Sequence, residues 1–206
     1  MFRSLLYIAL LISPLFAGQS DTVVLPITQD IAKRMIDGGS FHEECPVPLS
    51  KLRYLHIRYR DLENRTQTGE LIVHESVADE VVQLFTQLYR TGFRIARMQL
   101  VSAYGADDEA SMRTNNTSAF NCRYIAGTKK FSKHSYGKAI DINPLFNPCV
   151  QKGEVSPANA GAYLEREQNL PGMIHRNDTV VRLFKKYGWK WGGDWHSLKD
   201  YQHFEK

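Results

Sequence analysis

The chain has 206 residues, and its composition of 43% hydrophobic and 23% charged residues excludes a disordered, a collagen-like and a coiled-coil protein. This length fits one large domain, or one domain with a short extension, and it allows a sizeable core. The 26 lysines and arginines outnumber the 22 aspartates and glutamates, giving a formal net charge of +4, and the basic residues are scattered along the sequence. We therefore expect no nucleic-acid partner, because such a partner needs basic residues clustered on one face.

The N-terminal residues have the pattern of a secretory signal peptide. Arg3 precedes the apolar run 5–16, and Ala17 and Gly18 are small residues suited to cleavage. A membrane span needs about 20 residues, so this apolar run is too short for one, and no later segment is long and apolar enough. The sequence predicts export, to the periplasm or outside the cell, with no transmembrane segment after signal removal. A retained N-terminal anchor is the alternative.

A helix and a hairpin are predicted next along the chain. The helix covers 29–36 and ends at the Asp-Gly-Gly sequence that follows. Residues 52–59 alternate between two faces, as a half-buried strand does. A turn over 63–69 and a returning strand over 70–74 complete the hairpin.

The middle of the chain begins with the clearest helix pattern. Ser76 with Asp79 resembles a capping box, apolar residues follow at helical spacing, and Gly92 ends the helix. A strand is predicted over 97–101. The polar, Gly- and Asn-rich segment 102–128 is predicted to be a long functional loop.

The last elements complete a mixed fold. A strand is predicted over 138–142, and the segment 143–157 is broken by prolines. Asp178 or Thr179 caps a second amphipathic helix, which ends at Gly188. Strands and helices without regular alternation predict a single α+β domain, with an antiparallel sheet flanked by helices.

Three cysteines matter in an exported protein because their thiols can oxidise. Cys45, Cys122 and Cys149 allow one disulfide and one free thiol, and the spacing leaves all three pairings open. No C-x-x-C pair is present to indicate redox chemistry or a structural zinc site. One structural bridge with a buried thiol is favoured over a cysteine nucleophile.

Two short stretches concentrate side chains that bind metals. His134 and Asp141 are separated by Gly137, which allows a tight turn and a close approach of the backbone. Asp200 and His203 are three residues apart, so they would face the same way on a helical turn. Two histidines and one aspartate leave a fourth tetrahedral position open, which is typical of a catalytic zinc site. Asp200 would then accept the proton of the attacking water.

These two stretches match a family signature. They read Ser132-x-His134-x-x-Gly137-x-Ala139-x-Asp141 and Trp191-Gly192-Gly193-Asp194-Trp195, with Asp200-Tyr201-x-His203-Phe204 following. The first resembles the S-x-H-x-x-G-x-A-x-D motif of zinc peptidases that cleave bacterial cell-wall peptides. This family comprises D-alanyl-D-alanine carboxypeptidases, vancomycin-resistance dipeptidases and L-alanyl-D-glutamate endopeptidases. The second resembles the closing motif of the endopeptidase branch, and the likeness extends roughly from Cys45 to Glu205.

The resemblance implies one zinc ion per chain, held by His134, Asp141 and His203, with Asp200 as general base and later as general acid. The dipeptidase branch has Glu at this last position, so the shorter Asp200 either follows the endopeptidase pattern or reaches the water from farther away. Arg123 lies where relatives place an arginine near the substrate carbonyl or carboxylate, with a structural ion pair as the alternative.

Two further expectations concern Ser132, which lies two residues before His134, and the cysteines. Ser132 is expected to hydrogen-bond the substrate peptide, with stabilisation of a turn as the alternative. Exported relatives often have cysteines at positions like Cys45 and Cys122, so that disulfide is favoured and Cys149 stays free.

The implied function is a zinc-dependent peptidoglycan peptidase that hydrolyses cell-wall stem peptides. The tail motif favours the L-alanyl-D-glutamate endopeptidase type, and a D-alanyl-D-alanine carboxypeptidase is the alternative. A non-catalytic cell-wall-binding module on the same scaffold is the alternative of another class. We expect a monomer, in which 1–17 are the signal peptide, 18–44 an N-terminal extension and 45–206 the zinc peptidase domain.

Overall fold

The structure is a computed structural model that describes residues 22–206. Its α-helices in that range are α1 (Gln29–Asp37), α2 (Ala78–Thr91), α3 (Asp108–Arg113) and α4 (Thr179–Lys186). Its strands are β1 (Val23–Pro26), β2 (Leu52–Arg60), β3 (Thr66–His74), β4 (Arg97–Met98), β5 (Asn116–Thr117), β6 (Ala139–Asp141), β7 (Cys149–Gln151), β8 (Glu154–Ser156), β9 (Lys190–Trp191), β10 (Lys199–Asp200) and β11 (His203–Glu205). None of the described helices is both long and apolar enough to cross a membrane. The predicted signal peptide lies outside the described residues.

The strands form several small sheets. Three antiparallel sheets have three strands each, in the orders β1-β2-β3, β6-β11-β9 and β10-β7-β8, and β4 pairs with β5 in parallel. The predicted α+β class, a single domain with antiparallel strands and helices, is confirmed. Several short sheets take the place of the one sheet that the sequence indicated.

Strand β2 lies between two hydrophobic clusters because its side chains alternate between its faces. Leu55 and Ile57 face the larger cluster, which contains the apolar side of α2, and neither side chain is exposed. Leu52 and Tyr54 face the smaller cluster, where Met35 of α1 packs against them. The predicted alternation of this strand is therefore correct, and both of its faces are covered.

The larger cluster also supports the strands near the C-terminus. Phe204 of β11 stacks on Phe184 of α4 with ring centroids 4.1 Å apart, and Ile140 of β6 is fully buried in the same cluster. Phe204 and Ile140 are each next in sequence to a predicted metal ligand. Burial of a large apolar side chain contributes about 1.5–3 kcal/mol, so this packing fixes both strands.

Two predicted boundaries in the hairpin region are wrong. Strand β3 begins at Thr66 and not at residue 70, because Asp61 closes a shorter turn by accepting hydrogen bonds from the backbone N–H groups of Glu63 and Arg65 at 3.1 and 2.8 Å. Ser76 does not cap α2. It lies in a 3-10 turn, Glu75–Val77, from which the helix continues.

The segment predicted as a long loop is partly regular. Strand β4 has only two residues, and 102–128 contains α3 and β5. Asp107 is the N-cap of α3, where its carboxylate accepts a hydrogen bond from the N–H of Ala110 at 3.0 Å. The proline-broken segment 143–157 likewise contains the hairpin of β7 and β8.

The predicted N-terminal extension is 18–44, and its described residues, 22–44, belong to the β1-β2-β3 sheet or pack against it. Strand β1 pairs with β2, and Arg34 of α1 donates two hydrogen bonds of 2.8 Å to the Glu70 carboxylate on β3. The boundary between residues 44 and 45 stays a prediction.

Cys45 and Cys122 form a disulfide that joins positions 77 residues apart. Cys149 is a free, half-buried thiol. The structure therefore has the pairing that the resemblance implied. The bridge ties the segment after α1 to the smaller hydrophobic cluster, in which Cys122 is buried.

Candidate metal centre

His134 lies in a short 3-10 turn, Lys133–Tyr136, whose two ends are fixed by residues of the first motif. The hydroxyl of Ser132 accepts a hydrogen bond from the backbone N–H of His134 at 3.3 Å. Gly137 ends the turn with φ +64°, and a Cβ atom there would lie 2.5 Å from the backbone nitrogen of His74. Only glycine fits both the conformation and the space, which explains its place in the motif.

Strand pairing brings Asp141 and His203 together. The two residues are register partners in the antiparallel β6–β11 pair, although 62 positions separate them in sequence. Oδ1 of Asp141 lies 2.9 Å from Nδ1 of His203, and its Oδ2 lies 3.1 Å from Nε2 of His134. Backbone hydrogen bonds therefore set the spacing of two of the three predicted ligands.

The three predicted ligands converge on one buried point. Nε2 of His134 lies 3.3 Å from Nδ1 of His203, and the exposed fractions of His134, Asp141 and His203 are 3%, 7% and 7%. Ligand atoms about 2.0–2.1 Å from a tetrahedral zinc ion lie roughly 3.3 Å from one another. The observed spacings are close to that value, so one ion can contact all three groups.

The hydrogen bonds around the two imidazoles test whether a cation fits. Nδ1 of His134 lies 2.5 Å from the carbonyl oxygen of Ala119, and Nε2 of His203 lies 3.4 Å from a carboxylate oxygen of Glu205. When both imidazoles are neutral and these two nitrogens carry the N–H, the lone pair of the other nitrogen in each ring is directed at the centre. Together with the Asp141 carboxylate, three acceptors meet there without a donor. This donor set fits zinc, with room for a fourth ligand.

The electrostatics of the centre favour positive charge. Although burial lowers the pKa of His203, its hydrogen bonds with Asp141 and Glu205 raise it to about 10. Burial also opposes ionisation of Asp141, but the charges and hydrogen bonds of His134 and His203 hold its pKa well below its usual range. The carboxylates thus supply the negative field that a divalent cation needs.

Asp200 ends β10 and His203 begins β11, so the predicted helical turn between them is wrong. Gly192 lies against the backbone of Asp200, because a Cβ atom on Gly192 would be only 2.5 Å from the Asp200 carbonyl oxygen. The glycine therefore allows the two segments to pack closely. Oδ1 of Asp200 is buried and has no hydrogen-bond partner among the described residues. Burial raises the pKa of Asp200 to about 6, against the lowering effect of the His203 charge. Such a carboxyl group suits proton transfer near neutral pH.

Arg123 is tied to the turn that carries His134, but its guanidinium is paired elsewhere. Its carbonyl oxygen accepts a hydrogen bond from the N–H of Ser132 at 3.0 Å, and its Nη2 forms an ion pair with Asp108. Its Nε is buried without a hydrogen-bond partner in the described part of the chain. The structure thus contains the ion pair given as the alternative role, together with one unused donor.

Sequence reasoning missed two groups around the centre. Glu205 orients His203. The two residues are two positions apart on one strand, so their side chains lie on the same face, and the sequence alone could have indicated this contact. The Ala119 carbonyl that orients His134 left no such signal, since any residue has a carbonyl group. Cys149, predicted to be free, is the register partner of Asp200 in the β7–β10 pair.

The fold and the centre together define an α+β domain with a buried His-Asp-His candidate cation site and a nearby carboxylate, Asp200, whose Oδ1 has no hydrogen-bond partner among the described residues. A family model described as D-alanyl-D-alanine carboxypeptidase matches residues 126–206. The match covers both motifs, confirms the resemblance to these peptidases over that part of the chain, and supports a peptidase. It does not reach Arg123. No solved structure gives a significant match to the chain.

Proposed function

We propose that this protein is an exported zinc peptidase that hydrolyses the stem peptides of peptidoglycan. The observation that carries the proposal is the convergence of the Asp141 carboxylate with one lone pair each from His134 and His203. The match of residues 126–206 to a carboxypeptidase family supplies the reaction class and, through that family's name, the substrate class.

The chemistry divides between a bound zinc ion and the side chains beside it. A zinc ion held by His134, Asp141 and His203, one per chain, would supply Lewis acidity and a water of lowered pKa. Asp200 accepts the proton of the attacking water at its unpartnered Oδ1 and then donates it to the leaving amine. Its raised pKa, about 6, suits both transfers.

We assign Arg123 and Ser132 to the substrate. The buried, unpartnered Nε of Arg123 supports a role in stabilising the negative charge that develops on the substrate carbonyl, or in holding a terminal carboxylate. Release of the Asp108 ion pair would free the rest of the guanidinium. Ser132 already accepts a hydrogen bond from His134, and its hydroxyl hydrogen is available to donate to a peptide.

We favour cleavage between L-alanine and D-glutamate, because the tail motif with Asp200 resembles the endopeptidase branch. Removal of the terminal D-alanine is the alternative, and the description of the matching family supports it. The Cys45–Cys122 disulfide supports export, since disulfides persist in oxidising compartments.

Digestion of purified muropeptides followed by mass spectrometry tests the proposal. Release of the peptide beyond L-alanine identifies the endopeptidase, and loss of one terminal alanine identifies the carboxypeptidase. A protein that binds about one zinc per chain and peptidoglycan, yet leaves every muropeptide intact, would instead be a wall-binding module.

Variants of the centre separate metal binding from proton transfer. Asp200→Asn should reduce turnover by about 10²- to 10⁴-fold while the zinc content stays near one per chain. Asp141→Asn should lower the zinc content itself. Asp37→Asn, which alters an exposed pair with Lys33, is the matched control and should leave both unchanged. Full activity in Asp200→Asn would rule out the proton-transfer role.

A further inference from the structure

A cavity of about 790 Å³ lies beside the candidate metal centre, and five of its 11 lining residues are lysines. We call it the lysine pocket. Its lysines are Lys129, Lys130, Lys133, Lys138 and Lys206. They come from a loop, from the 3-10 turn of His134, from the position just before β6 and from the C-terminal end of the chain, so only the folded protein brings them together.

A hairpin-like loop forms one wall of the lysine pocket. The N–H of Ile125 donates to the carbonyl of Lys130 at 2.8 Å, and the rings of Tyr124 and Phe131 stack with centroids 4.4 Å apart. These contacts hold Lys129 and Lys130 at the turn of the loop. The wall is therefore a defined structure, although its lysines are exposed.

Three of the five lysines carry ammonium groups without a partner in the described part of the chain. Lys129, Lys130 and Lys138 form no ion pair and no side-chain hydrogen bond within residues 22–206. Nζ of Lys133 donates a hydrogen bond to the backbone oxygen of Lys206 at 3.5 Å. Lys206 differs, because its Nζ lies 2.7 Å from a carboxylate oxygen of Glu80. The unpaired charges make the pocket a site for an anion.

The surroundings do not cancel this charge. Glu205 is the one acidic side chain in the lining, against five lysines, and its carboxylate contacts His203 of the metal centre at 3.4 Å. Burial lowers the pKa of His74, another lining residue, and the positive charge of Lys138 lowers it further. A net positive potential therefore acts within the pocket.

The type of basic residue indicates the kind of anion. The lining contains five of the chain's 12 lysines and none of its 14 arginines. Arginine binds carboxylates and phosphates alike through a planar, bidentate fork, whereas the lysine ammonium is a point charge that contacts phosphate oxygens from any direction. Beside the lysines, Tyr136 and Ile125 are 38% and 46% exposed and offer apolar surface to a carbon backbone.

We propose that the lysine pocket binds a phosphodiester polymer with a polyol backbone, whose successive phosphates contact Lys129, Lys130 and Lys138. A pocket of this volume with three separate unpaired charges suits a ligand with several phosphates better than one free ion. Binding there would hold the protein on an anionic surface polymer with the metal centre close by. The inference does not rest on the proposed peptidase activity, because no metal ligand takes part.

Titration of the full-length protein with a soluble glycerol-phosphate oligomer tests the inference. We expect binding that weakens as salt is added, and an increase in the pKa of His74 followed by NMR, because bound phosphate offsets the charge of Lys138. The triple variant Lys129→Gln, Lys130→Gln, Lys138→Gln should bind at least about tenfold more weakly.

A second triple variant removes the same charge outside the pocket. Lys152→Gln, Lys185→Gln, Lys186→Gln should change the affinity by less than about twofold. Equal weakening in both triple variants, or no binding by the unmodified protein, would overturn the proposal. Equal or tighter binding of polyglutamate would assign the pocket to acidic peptides, and binding only to phosphatidylglycerol vesicles would assign it to a membrane. Either result would also overturn it.

Discussion

His203 and Asp141 lie directly opposite each other in the antiparallel pair of β11 and β6, with Nδ1 of the first 2.9 Å from Oδ1 of the second. Two of the three candidate ligands are thus held by strand pairing and not by loops. Phe204 and Ile140, the neighbours of these ligands, are fully buried, so a shift in register would expose both. The centre should therefore be as rigid as the core behind it.

Glu205 should control how tightly the centre holds its metal, because it accepts the outward N–H of His203. We expect Glu205→Ala to weaken zinc affinity by about 10- to 100-fold, measured by competition with a chelator. Glu205→Gln keeps an oxygen acceptor and should restore much of the affinity. An unchanged affinity in Glu205→Ala would show that this contact does not orient the imidazole.

Gly137 should resist substitution for two separable reasons, its φ of +64° and its contact with the backbone at His74. Gly137→Ala should lower the free energy of unfolding by about 2–4 kcal/mol and reduce metal content, because the turn that carries His134 must shift. Gly105 has φ +65° and ends a similar 3-10 turn, but a Cβ atom at that position would have no neighbour within 4 Å. Gly105→Ala should therefore cost only about 1–2 kcal/mol, and equal losses would contradict the steric explanation.

The Cys45–Cys122 disulfide should contribute strongly to stability, because it closes a loop of 77 residues. Replacing both cysteines with serine should lower the free energy of unfolding by about 2–5 kcal/mol in urea titrations. Cys149→Ser leaves the bridge intact and should cost less than about 1 kcal/mol. A reducing agent should destabilise the unmodified protein and the Cys149→Ser variant alike.

Asp61 should make the free energy of unfolding depend on pH in the acidic range. Burial raises its pKa, but hydrogen bonds from Gln67 and Arg65 lower it to about 2. Because the folded-state pKa lies below the unfolded value, the stabilisation is complete above about pH 4 and is lost as the pH falls through about 2. Asp61→Asn should therefore be less stable than the unmodified protein at pH 7, and this difference should shrink toward about pH 2. A difference in unfolding free energy that does not vary with pH would contradict this origin.

Local patterns predicted the individual elements well where burial and periodicity agree. The alternation of β2 and the helical spacing before Gly92 both predicted correctly which side chains face the core. Prediction failed where polar side chains decide a boundary. Asp61 closes a turn earlier than expected, and Asp107 begins a helix in a segment predicted as loop, because each carboxylate accepts backbone hydrogen bonds.

The candidate site was predicted as a set of residues but not as a geometry. The motif spacing named His134, Asp141 and His203, yet the helical turn assigned to Asp200 and His203 is wrong, since these residues lie on two different strands. The spacing along the chain does not reveal that β11 pairs with β6. That pairing depends on the apolar surface that both strands bury together.

By itself, the sequence determined the residue types available to the centre, the faces of the longer elements and the glycine that the turn at 137 requires. Only the tertiary structure decided which imidazole nitrogens face the centre, and it established the cysteine pairing that the spacing alone left open. It also gathered scattered lysines into one pocket. The physical reason is that side-chain periodicity is set by neighbouring residues, whereas contacts between distant segments depend on the apolar area buried when the whole chain closes on itself.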